Sequence, residues 1–132
     1  MVDAYEQTLF EVHCLGGRVV LSTDGIVEGN AAWLPVGPIA LITAYNPGVT
    51  RPGPGRNNAA NQQLEELLRA RGYRFSTGSG FSRDRSHSEP SYAVESLTED
   101  DARELGREFG QAAVFYWKDG VGTLLWCSQA ES

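Results

Sequence analysis

The chain lacks most of the residues that mark metal, redox and membrane proteins. It has two cysteines, Cys14 and Cys127, in apolar segments near opposite ends, and two histidines, His13 and His87. No Cys-x-x-Cys pair and no His-Glu-x-x-His occurs, so a zinc site is not expected and no cofactor is implied. The cysteines read as buried, reduced thiols in preference to a disulfide. No run of about 18 apolar residues exists, which excludes a transmembrane helix. Met1-Val2-Asp3-Ala4-Tyr5-Glu6 lacks a basic stretch followed by an apolar one, so a secretory signal is not expected and a cytoplasmic location is.

Motifs for common chemistries are also missing. Gly48 and Gly53 have the outer spacing of a phosphate loop, but Pro54-Gly55 stands where its Lys-Ser/Thr would be, and this rejects a Walker motif. Gly78-Ser79-Gly80 is not followed by a third dinucleotide-binding glycine, and no Gly-x-Ser-x-Gly elbow is present.

Positive charge is scarce and unevenly placed. Eleven basic residues face seventeen acids, for a net charge of −6. Between Arg51 and Ser88, seven arginines meet three acids, whereas the rest of the chain has four bases and fourteen acids. Long-range repulsion in such a chain opposes general nucleic-acid binding. The basic middle suits either a small anion bound locally or a solvated arginine surface.

The 132 residues fit one domain with a hydrophobic content of 41%, enough for a core without metal or disulfide staples. Thr8 to Cys14 alternates in strand fashion, Gly16-Gly17 turns, and Arg18 to Thr23 resumes as a second strand. Glu28 to Pro38 reads as an irregular connection anchored by Trp33 and Leu34. Ile39 to Tyr45 is a buried strand stopped by Asn46-Pro47-Gly48, in which Pro47 and Gly48 suit the middle of a type II turn. A Pro/Gly loop leads to a helix from about Asn57 to Arg71, ended by Gly72. Tyr73 to Thr77 reads as a short strand, Ser76 to Ser88 as a mobile Ser/Gly/Arg loop, and Ser91 to Glu95 as a strand. Thr98 caps a second helix that Gly110 ends. Ala112 to Trp117 and Val121 to Trp126 form a hairpin across Asp119-Gly120. The expectation is a single α+β domain with a mixed or antiparallel sheet and two helices on one face. Its middle, Ile39 to Trp117, is a ferredoxin-like βαββαβ unit, to which an N-terminal hairpin and a C-terminal strand are added.

On the first helix, Asn57, Asn61, Leu64 and Leu68 fall within about 60° of one another at about 100° per residue. The leucine half of this stripe must face the core, yet its other half is asparagine. A buried amide without partners costs roughly 1–3 kcal/mol. The asparagines therefore meet polar protein groups or line a cavity. Helix capping by Asn57 or Asn58 is the alternative for the first of them. It does not account for Asn61, a full turn inside.

Three function classes follow. The first is a pocket for a small polar or anionic, nucleotide-like ligand, formed by Thr43, Asn46, Arg56, Asn57, Asn61 and Gln111, since amides read polar edges through paired donors and acceptors. If it is catalytic, Glu89 is the general base of a hydrolytic or transfer reaction. The second is a protein-binding or regulatory module that uses a sheet edge and the 76–88 loop. The third is an amide network with a structural role alone.

Four segments together resemble the bacterial family known as domain of unknown function 3293. They are Ile42-Thr43-Ala44-Tyr45-Asn46-Pro47, the Asn57…Asn61…Leu64 helix start, Glu89-Pro90-Ser91-Tyr92, and Phe109-Gly110-Gln111-Ala112-Ala113-Val114-Phe115. The resemblance implies no established activity. It does coincide with the residues that the helix stripe and the turns single out. The Arg/Pro/Gly-rich loop after Asn46-Pro47 departs from the more acidic or serine-bearing loop common in that family.

Overall fold

A computed structural model describes residues 8–45, 54–84 and 87–127. The expected turn at Asn46-Pro47-Gly48 and most of the Pro/Gly loop lie outside the described residues.

The strands are β1 (Thr8–His13), β2 (Arg18–Ser22), β3 (Gly25–Glu28), β4 (Ile39–Ile42), β5 (Phe75–Ser82), β6 (Ser88–Glu95), β7 (Ala113–Lys118) and β8 (Val121–Trp126). The helices are α1 (Pro54–Ala70) and α2 (Glu99–Glu108), with a 3-10 turn at Ala31–Trp33. All eight strands join one sheet in the order β3-β2-β1-β5-β6-β4-β7-β8. Every pairing is antiparallel. The fold is α+β.

The sheet is strongly curled. Four strand spacings separate β1 from β7, about 19 Å in a flat sheet. Yet the rings of Phe10 and Phe115 stack with centroids 4.2 Å apart. A side chain at Gly122 on β8 would come within 2.5 Å of the Ser22 carbonyl on β2. The two ends of the sheet thus approach each other, nearly as in a barrel. Phe10, Val12, Val19, Leu21, Ile39, Leu41, Ala93, Phe115 and Trp117 fill the concave side.

The helices cover the convex side. Leu64 and Leu68 from α1, and Ala102 and Leu105 from α2, bury against Ala40, Ile42, Val94, Val114, Tyr116 and Leu125. Each buried leucine contributes roughly 1.5–3 kcal/mol. Thr98 caps α2 by accepting a hydrogen bond from the Asp101 amide, with three acids in the first turn. Tyr116 donates its hydroxyl to the Leu97 carbonyl at 2.7 Å and so ties the start of α2 to β7.

Several expectations need correction. The expected loop over 76–88 is strand through residue 82 and again from Ser88, because Phe75–Ser82 and Ser88–Glu95 are paired strands. The reason lies in its small residues. Gly78 and Gly80 face the concave side, where a side chain at Gly78 would meet the Glu11 carbonyl at 2.3 Å and one at Gly80 would lie 3.5 Å from the Phe10 ring. Glycine here admits close neighbours rather than marking a loop. Gly25–Glu28 adds an edge strand to the predicted hairpin. Helix α1 starts at Pro54, a residue suited to the first helical position, so Asn57 lies inside the helix and does not cap it. Leu34 packs on the core as expected. Trp33 is 41% exposed, and its indole lies where side chains at Gly16 and Gly17 would be. Both cysteines are free, and Cys127 is buried.

Candidate functional site

The family-like segments meet where β4 ends. The last β4–β6 pair is Ile42 with Tyr92. Two residues further, the same register would set Ala44 opposite Pro90. Proline has no amide hydrogen, so such a pair would lose the bond that residue 90 would donate, while the Pro90 carbonyl can still accept.

The side-chain amide of Asn61 takes over at this point. Its Oδ1 accepts from the Ala44 amide at 2.8 Å, and its Nδ2 donates to the Pro90 carbonyl at 3.0 Å. One primary amide thus satisfies an orphan donor on one strand and an acceptor on the other. Thr43 reinforces the join, donating Oγ1 to the same Pro90 carbonyl at 2.8 Å and accepting from the Tyr45 amide at 3.1 Å. Asn61 is only 5% exposed. Its two bonds offset the burial cost of its own amide and that of the backbone groups it serves.

Two more side chains secure the chain beyond this join. Gln111 donates Nε2 to the Tyr45 carbonyl at 3.0 Å and to the Phe109 carbonyl at 3.3 Å. The turn that delivers Gln111 depends on Gly110, whose φ of 73° lies in the left-handed region. The Tyr45 hydroxyl donates to Oδ1 of Asn58 in the first turns of α1. Asn57 is buried, and Arg56 is exposed. Of the residues singled out from the sequence, Thr43, Asn61 and Gln111 therefore bind one short stretch of backbone. Asn57 and Arg56 lie in the same helix start, and Asn46 lies outside the described residues.

Glu89 is placed differently. Tyr92 and Val94 of β6 pack beneath the helices, while Ala93 faces the concave core. Strand alternation puts Glu89 on the same side as Ala93. Asn61 reaches β6 from the helix side, so the two approach the strand from opposite faces. The Glu89 carboxylate lies 3.0 Å from Nε2 of His87.

Sequence reasoning missed a second polar cluster. Tyr92 donates its hydroxyl to Glu65 at 3.1 Å, and Arg69 donates to the other Glu65 oxygen at 2.6 Å. Burial, reinforced by Glu65, pushes the Tyr92 phenol up to about 12. The Arg69 hydrogen bond, with that of Tyr92, lowers the Glu65 carboxyl from its ordinary value. Phe75 meets Tyr92 edge-on, and the Arg69 guanidinium lies 5.3 Å from the Phe75 ring centre. The four-residue spacing of Glu65 and Arg69 was the available signal.

The family model described as Protein of unknown function (DUF3293) matches residues 42–114. That is more than half of the chain. The chain belongs to this family. Comparison with curated proteins and with solved structures gives no match. The DUF3293 segment takes in Thr43, Ala44, Asn61, Pro90 and Gln111, and so the complete amide-mediated join between β4 and β6. It leaves out β1, β2, β3 and β8. Among the described residues, no group of three or more His, Cys, Asp or Glu is arranged to hold a metal ion. No helix of the described residues is long and apolar enough to cross a membrane.

Proposed function

We propose that the protein is a binding module for a small polar or anionic molecule, seated where the end of β4 meets the start of α1. One observation carries this reading: polar side chains from α1, from the β4 end and from the segment after α2 gather on the backbone of Thr43–Tyr45. Asn61, Thr43 and Gln111 act as positioning groups in this proposal. Arg56, Asn57 and Asn58 are the ligand-reading candidates. The first turn of α1 carries no acid, and a helix start without acids favours a negatively charged group. Glu89, across β6, stays outside the proposed seat. The order β5-β6-β4-β7, with α1 and α2 as crossovers, supports a ferredoxin-like reading of Ile39–Trp117, and a single domain in a cytoplasmic setting accords with the sequence.

Thermal denaturation with inorganic phosphate and with nucleoside monophosphates tests the proposal. A ligand present at 100 times its Kd would stabilise the protein by about 2.7 kcal/mol, and Arg56→Ala would reduce that gain. No shift with either probe, and no small molecule retained in native mass spectrometry of protein from its own host, would refute it.

A second reading is a protein-binding module. Its support is β3, which ends the sheet and exposes Ile26 and Val27 by 40% and 51%. An edge of this kind suits addition of a partner strand. A partner recovered in fixed stoichiometry, and lost on Val27→Lys, would favour it.

A further inference from the structure

On β1, Phe10 and Val12 face the concave core, so Glu11 and His13 face the convex side by strand alternation. The β1–β5 register, with Val12 opposite Gly78, brings His13 beside Thr77. The imidazole bridges two groups there. Its Nε2 lies 2.9 Å from Oε2 of Glu11, and its Nδ1 lies 2.7 Å from Oγ1 of Thr77. A carboxylate only accepts, so the proton belongs on Nε2 and the lone pair of Nδ1 faces the Thr77 hydroxyl. The Glu11 carboxylate is 14% exposed, and Arg18 holds its other oxygen at 3.3 Å. Arg18 is itself paired with Glu28 at 3.1 Å. Acid, imidazole and hydroxyl thus sit in series on the paired strands β1 and β5, and Thr77 is exposed.

We propose that Glu11, His13 and Thr77 form an acid–base–nucleophile relay that hydrolyses small activated acyl esters. A hydroxyl in hydrogen-bond reach of an imidazole, itself oriented by a third group, is the arrangement that activates a nucleophile on unrelated folds. Oγ1 of Thr77 attacks the acyl carbon and its proton passes to Nδ1 of His13. The bond to the leaving oxygen then breaks, and that oxygen takes the proton from Nδ1. Water attacks the acyl carbon of the acyl-threonine and gives one proton to Nδ1; the bond from that carbon to Oγ1 breaks and Oγ1 takes the proton from Nδ1, so one ester and one water become one acid and one alcohol. Thr77 and His13 are the catalytic residues, and Glu11 is a positioning residue that fixes the imidazole. The exposure of Thr77 restricts the substrate to small acyl groups that need no deep pocket. Phe75, two residues away on the same face, offers an apolar neighbour.

The test uses the full chain and p-nitrophenyl acetate. The expected result is p-nitrophenol release with a transient acetyl group on Thr77, located by peptide mass spectrometry. T77V and H13Q should each lower the rate about a hundredfold or more, T77S should keep it, and E11Q should lower kcat while leaving KM unchanged. Circular dichroism establishes that each variant is folded; H13Q serves if T77V is not. Absence of acetyl-Thr77 in the wild-type chain would overturn the proposal. So would a T77V rate equal to wild type, because an exposed imidazole acting alone needs no hydroxyl.

Discussion

At the β4 end, both polar atoms of the Asn61 amide are engaged with backbone, at 2.8 and 3.0 Å. On the convex face of β1, His13 engages a carboxylate with one ring nitrogen and turns the other toward an exposed hydroxyl. The two groups are of similar size and differ chiefly in burial. Inside the protein, an unpaired donor or acceptor carries its full desolvation cost, so a buried amide must be saturated. At the surface, water can serve any group left over, and a hydrogen bond there can remain available for other chemistry. The buried cluster therefore shapes backbone, whereas the exposed one keeps a directed hydroxyl.

The largest effect that would break this contrast is on stability. Asn61→Leu keeps the volume but orphans the Ala44 amide and removes one bond to Pro90, and should cost about 2–3 kcal/mol in urea denaturation. A neutral result would mean that the amide is not buried in the way described. Gly78→Val is next, because its side chain would enter the Glu11 carbonyl and Leu41, and overpacking of this kind costs about 1–3 kcal/mol. It would also separate His13 from Thr77, linking the strand contact to the exposed cluster. Gln111→Ala should cost about 1 kcal/mol, since it removes the two bonds to the Tyr45 and Phe109 carbonyls.

The smallest effect is a pH dependence. The Tyr92 phenol is raised from 10.0 to about 12 in the folded protein. Folding favours its protonated form, so the stabilisation is fully present below pH 10 and declines as pH rises toward 12. Tyr92→Phe should flatten that part of a melting-temperature profile. An unchanged slope would show that the phenol is more hydrated than its place beneath α1 indicates.

Much of this was legible in the residues. Strand alternation, Thr98 and Asp119-Gly120 mark real elements, because each rests on local geometry. Thr98 caps α2, and Asp119 and Gly120 both adopt positive φ, at 53° and 79°. The asparagine stripe located Asn61 because burial is written into helical period. What the stripe could not tell was whether the amide met backbone or a cavity, since its partners Ala44 and Pro90 lie 17 and 29 residues away. The β5 strand was illegible for a related reason. Its glycines are explained by Phe10, Glu11 and Leu41 on other strands, and no local pattern records them. Glu89 looked suited to the amide site from its place in sequence, but the two-residue period of β6 turns it to the other face. The Glu11–His13–Thr77 series depends on a cross-strand register spanning 64 residues.

The central claim is that the Asn61 amide carries the join between β4 and β6 beyond their last strand pair, bridging the Ala44 amide and the Pro90 carbonyl. Hydrogen exchange of the Ala44 amide, read by NMR beside the other amides of the β4 segment in wild type and Asn61→Leu, tests it most directly. The account predicts that Ala44 is protected in the wild-type protein and that the variant loses protection there far more than at Leu41 or Ile42. Equal protection of Ala44 in both proteins, or a uniform loss along the strand, would contradict it.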